Sequence, residues 1–199
     1  VTSEETYLLA ALVAAFQWTP PAQDWTKHLP TPVITVSDCL AKFLPDGQDP
    51  LTEPWHHCLQ DAIDAARHTP AVETVHVLAV SVPTSTASEL VAMIDQWLDD
   101  YPHPIRLNLT RGVPTPTGTS QGFEVLGFES GRFHTWLCYG LHDQALDELN
   151  IHANSRGLLA TLAEAQQVTE MANTNRGAHD GTPTEVTWFP ALVTKYSTE

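Results

Sequence analysis

The run VETVHVLAVSV, residues 72–82, limits this chain more than any other stretch. It is β-branched and apolar for most of its length, as a strand covered on both faces must be. Such a strand belongs in the centre of a sheet. Thr86 and Glu89 follow as a capping box for a helix to Tyr101, with Leu90, Ile94, Trp97 and Tyr101 on one side. IRLNL (105–109) then reads as a returning strand that completes a β-α-β unit, with a right-handed crossover if its strands are parallel.

The remaining segments fit the same plan. Ser3 predicts the cap of a first helix through Trp18, with Glu4 and Glu5 matching the helix dipole and YLLAALVAAF buried nearly all round. TPPAQDWTKHLPTP holds four prolines and predicts an extended connection, and TPVITV a short strand. From Glu53 and Pro54 to His68, the apolar face Trp55, Leu59, Ala62 and Ala66 predicts a helix. GFEVLGFE (122–129) predicts a strand, RFHTWLCYGLH (132–142) the start of a helix to about Asn150, and Thr161 with Glu164 the capping box of a last helix to about Asn173. VTWFPALVTKY alternates as a strand does, and Pro190 confines it to an edge or a bulge. The fold class expected is α/β: a single domain over residues 1–199, a mixed β-sheet with helices packed on it, residues 1–32 supplying the first helix and the proline-rich connection. At this length a compact fold buries roughly 70% of the surface its unfolded chain exposes, so it needs no disulfide or metal staple.

Charge narrows the partners. Nine Lys and Arg against 24 Asp and Glu give −15. Phosphate backbones repel such a surface, which argues against nucleic acid and favours a basic protein. The excess is concentrated in residues 1–100, with fourteen acids against three bases. Cys39, Cys58 and Cys138 form no CxxC pair and are odd in number, which points to a reducing, cytoplasmic setting. The acidic start is the reverse of a signal peptide, and the ten-residue apolar run beside it is too short to span a bilayer.

Several stretches offer chemistry. GTSQG (118–122) matches the G-x-S-x-G elbow that exposes a nucleophilic serine, here Ser120. That motif needs a strand before it and a helix after it; a proline-rich loop precedes and a strand follows, so turn chemistry is the expected role. His134, Cys138 and His142 recur four apart. On one helix, neighbours in this series can share a metal, but His134 and His142 would lie about 12 Å apart along the axis, too far for one ion. Metal or catalytic use of His134 and Cys138 therefore needs a ligand from elsewhere. His57, Asp61, Asp64 and His68 form a polar stripe able to bind a divalent cation or do acid–base work, on the face where solvated residues also belong. Asp95, Asp99 and Asp100 crowd a helix C-terminus, where negative charge is unfavourable. With Asp61 and Asp64 they are the candidate surface for a basic partner.

GFEVLGFES, then FHTWLC, then GLLATLAEA resemble stretches of a group of bacterial proteins that share G-[FY]-E-x-x-G, F-H-[ST]-W-x-C and a G-L segment. The resemblance covers roughly residues 122–172, marks His134 and Trp136, and implies a bacterial, cytoplasmic origin without a mechanism. Three functional classes follow. The first is a non-catalytic acidic binding domain, of the immunity or inhibitor kind, that needs no cofactor. The second is a small hydrolase or metal-dependent enzyme using His134 with Cys138, or His57 with Asp61. The third is a subunit of a larger assembly, docked through the aromatic stretch at 18–25. Oligomeric state is left open by the sequence.

Overall fold

A computed structural model describes residues 5–18, 33–34, 55–68, 74–98, 102–129, 132–137, 140–175 and 186–196. Among the described residues, seven strands form one sheet: β1 (Tyr7–Trp18), β2 (Val33–Ile34), β3 (Trp55–His56), β4 (Thr74–Pro83), β5 (Thr119–Glu129), β6 (Arg132–Thr135) and β7 (Thr187–Lys195). Their order is β2-β1-β4-β7-β5-β6, with β3 beside β2 on the same edge of β1. Every ladder is antiparallel. Five helices pack on the sheet: α1 (Leu59–His68), α2 (Thr84–Leu98), α3 (Pro104–Arg111), α4 (Leu141–Leu149) and α5 (Leu162–Thr174). The α/β class expected from the sequence, a sheet with helices packed on it, is the one observed, with antiparallel ladders in place of the mixed pairing expected.

Alternation along the central strands splits the core in two. Leu78, Val80 and Val82 of β4, Ala11 and Val13 of β1, and Phe189, Ala191 and Val193 of β7 face α2 and α3. On the opposite face, Leu9, Leu12, Val77 and Ala79 meet α1. Val125 and Trp188 meet α4 and α5 on that same face.

Four local expectations are overturned. The chain from Tyr7 to Trp18 is a strand, not a helix. Apolar residues all round suit a strand buried on both faces as well as a buried helix, and here pairing with β4 along nearly the whole of β1 decides it. IRLNL is helical: Pro104 sits in the first turn of α3, His103 Nδ1 accepts the Ile105 N–H at 3.3 Å, and Gly112 closes the other end at φ 64°. No β-α-β unit forms there. The helix expected from Glu53 begins only at Leu59, because Trp55 is drawn into the opposite core, 5.0 Å from Phe133, while β3 pairs with β1. Finally, RFHTWLCYGLH does not start one helix. It gives strand β6, a turn, and then α4 after Gly140 at φ 65°.

Of the helix caps and the last strand, some follow the sequence and some do not. The Thr161–Glu164 capping box is present in both directions. The proposed box at Thr86 is not a cap: α2 already starts at Thr84, and the Thr86 hydroxyl donates to the Pro83 carbonyl. β7 is central rather than an outer strand, yet its pairing with β4 runs only from Leu192 to Lys195. At Pro190 it has β5 alone as a neighbour, so the missing N–H interrupts no ladder on the other side. The proline-rich connection and most of the 18–25 stretch lie outside the described residues.

Candidate functional site

The segments GFEVLG, FHTW and GLL converge on one buried network. The register brings Leu126 opposite Thr135, so Val125 and Trp136 would form the next pair along the β5–β6 ladder. They do not pair directly. Both backbone N–H groups instead donate to Glu124 Oε1, each at 3.0 Å, and the Thr135 hydroxyl donates to Glu124 Oε2 at 2.8 Å. A carboxyl with no solvent exposure thus occupies the fork where the two strands part. Burial pushes its pKa up to about 8, against the opposing pull of the three hydrogen bonds. At neutral pH Glu124 is mostly protonated.

Trp136 is fully buried, and its indole N–H donates to the Gly157 carbonyl at 2.9 Å. Phe123 and Leu159 exchange backbone hydrogen bonds at 2.8 Å, which holds the G-L segment against β5. Gly127 is required by close approach: a Cβ there would lie 2.7 Å from the Trp188 ring. Glu124, Thr135, Trp136 and Gly157 therefore work as scaffold, and Trp136 of the resemblance packs. Glu124 lay within the quoted motif, but nothing in its spacing shows that a carboxylate will turn inward.

His134 stands on β6, nearly buried, with Nε2 3.5 Å from Glu129 Oε2 on the same face of the sheet. His142 lies in α4, with Nε2 3.6 Å from Asp143 Oδ2, and meets Trp136 edge-on at 6.5 Å. The one-helix spacing expected for His134 and His142 does not exist, because a strand and a turn replace the first two turns of that helix. Cys138 lies outside the described residues. Ser120 is exposed in β5 beside the bulge at Ser120/Gly122, with Thr194 as its strand partner. A serine inside a strand is not on a strand-to-helix elbow, so GTSQG lacks the nucleophile geometry, and Ser120 lies in β5 where a turn was expected.

The candidate acidic surface is only partly assembled. Asp64 accepts from Gln60 at 2.9 Å and from Arg67 at 3.3 Å on its own helix. Asp95 pairs with Arg106 across α2 and α3, so its charge near the end of α2 is offset locally. Asp99 and Asp100 lie outside the described residues, as does the side chain of His68.

Asp61 stands apart from the other acids. It occupies the first turn of α1 and comes together with His57 and Cys58, their ligand atoms all within 4.8 Å of one another. Among the described residues this is the one group of three that could hold a metal. The sequence paired His57 with Asp61 on a helix beginning earlier; Cys58, three residues before Asp61 and so its neighbour at the start of α1, is a third member that this pairing left out. No described helix is long and apolar enough to cross a membrane. Neither a protein-family model, nor a curated protein, nor a solved structure matches this chain.

Proposed function

We propose that the chain is a non-catalytic acidic binding domain for a basic protein, of the immunity or inhibitor kind. The observation that carries this reading is the net charge of −15. It is supported by exposed Glu89, Asp147, Glu148 and Glu170, which add to Asp61 and Asp95 on α1, α2, α4 and α5. A field of this sign steers a basic partner towards the surface and makes the association sensitive to salt. Reversing the charge of Asp95, Asp99 and Asp100, or adding salt, is expected to weaken a captured basic partner at least tenfold. A partner whose affinity ignores both changes, or capture of no basic protein at low salt, overturns the reading.

The second reading is a metal-dependent enzyme. The convergence of His57, Cys58 and Asp61 favours it. Stoichiometric metal together with hydrolysis of an ester or peptide substrate, both lost in His57→Ala, would replace the first reading with this one.

A further inference from the structure

We propose that His57, Cys58 and Asp61 form a zinc site at the junction of β3 and α1, with its fourth coordination position open to water. This proposal does not depend on the binding function above. Three different donor types meet there, an imidazole, a thiolate and a carboxylate, with all their ligand atoms within 4.8 Å. That mixture suits a borderline-soft divalent ion such as zinc, and disfavours magnesium and calcium, which take oxygen ligands. Donors around a tetrahedral zinc at roughly 2.0–2.3 Å stand about 3.3–3.8 Å from one another. Closing from the observed spread takes about 1 Å of side-chain rotation.

Asp61 alone is explained by the helix dipole, since first-turn acids favour helix N-termini. Its convergence with an imidazole and a thiol is not. Two anchored elements set the spacing. Trp55, buried against Phe133, and the pairing of β3 with β1 fix the chain just before His57. Just after it, the Cys58 carbonyl accepts the Ala62 N–H at 3.4 Å, and Ala62 is packed without exposure against the sheet. The three ligands therefore sit on a short rigid corner, as a preorganised site requires. His57 and Asp61 are exposed and Cys58 is half-buried, so the ion has a path in and its fourth corner faces solvent.

The test is a titration of the full chain, reduced and stripped with a chelator, first with zinc against a competing chromophoric chelator and then with cobalt. One equivalent of zinc is expected to bind, and cobalt to give a thiolate-to-metal charge-transfer absorption with tetrahedral visible bands. Cys58→Ser should abolish the charge-transfer band, while the double variant Cys39→Ser, Cys138→Ser retains it. His57→Ala and Asp61→Asn should each weaken zinc at least tenfold, with the far-ultraviolet circular dichroism of the metal-free chain unchanged. Zinc should also raise the thermal midpoint of the wild type and not of Cys58→Ser, because a ligand that binds only the folded state stabilises it. The proposal is overturned if no zinc binds, if the charge-transfer band survives Cys58→Ser, or if affinity in all three single variants stays within threefold of wild type.

Discussion

Thr135 donates its hydroxyl to Glu124 Oε2 at 2.8 Å, at the point where the ladder between β5 and β6 stops. The same hydroxyl oxygen accepts the Leu137 N–H at 3.4 Å, so one side chain links the carboxyl to the chain leaving β6.

Stability is expected to depend on pH through this carboxyl. Its folded pKa of about 8 lies above the ordinary value of 4.5, so the folded state holds a proton that the unfolded state has released between those values. The resulting stabilisation is complete below about 4.5 and is lost as pH rises through about 8, at up to roughly 1.4 kcal/mol per pH unit. His103, whose pKa burial lowers to about 4, acts in the opposite sense between that value and 6.5, where stability rises with pH. The histidine contribution, to which half-buried His76 with its lowered pKa adds, is common to wild type and Glu124→Gln, so the difference between their urea unfolding at pH 6.5, 7.2 and 8.0 isolates Glu124. Glu124→Gln should gain on the wild type across this range; parallel curves for the two proteins would refute the assignment.

Trp136→Phe is expected to destabilise the chain by about 2 kcal/mol. It leaves a cavity in a fully buried site and deprives the Gly157 carbonyl of its donor. The denaturant midpoint should fall with little change in slope.

Two glycine substitutions separate backbone strain from collision. Gly112 has φ 64° and nothing within 4 Å of an added Cβ, so Gly112→Ala should cost only about 1 kcal/mol. Gly122 has φ 131°, and its Cβ would meet the Leu159 carbonyl oxygen at 2.5 Å. Gly122→Ala should cost about 3 kcal/mol or more and detach the G-L segment from β5. Equal thermal midpoints for the two variants would show that the close approach is relieved cheaply.

Thr161→Ala removes the side-chain acceptor of the Glu164 N–H and half of the capping box on α5. A loss of about 1 kcal/mol is expected, with amide exchange in the first turn of α5 rising more than in its centre.

The legible parts of this fold are those whose local signal and tertiary setting agree. Thr74–Pro83 and Thr119–Glu129 are strands and Thr161 opens a helix, because burial, propensity and capping point the same way. Tyr7–Trp18 misleads because a strand covered on both faces carries no period-two pattern. Residues 104–111 mislead because eight residues are too few to show a helical period, although Pro104 and Gly112 are proper end signals. The metal candidate was half visible: His57 and Asp61 share an i,i+4 spacing, and Cys58 stands at i,i+3 from Asp61, but a lone cysteine at that spacing reads equally as a half-buried packing residue. Glu124 was hidden for a different reason, since whether a lone acid in a strand faces water depends on where its neighbouring ladder ends.

The place of β7 has a consequence for synthesis. β1 and β4 belong to one half of the sheet and β5 and β6 to the other, and among the described strands β7 alone joins them. A chain emerging from the ribosome holds two half-sheets with open edges until residues 187–195 appear. Strand edges left open in this way invite pairing with other chains. The last described strand thus acts as a zip closed after translation of everything it joins, and a ribosome stalled before it would release two sticky fragments of a sheet.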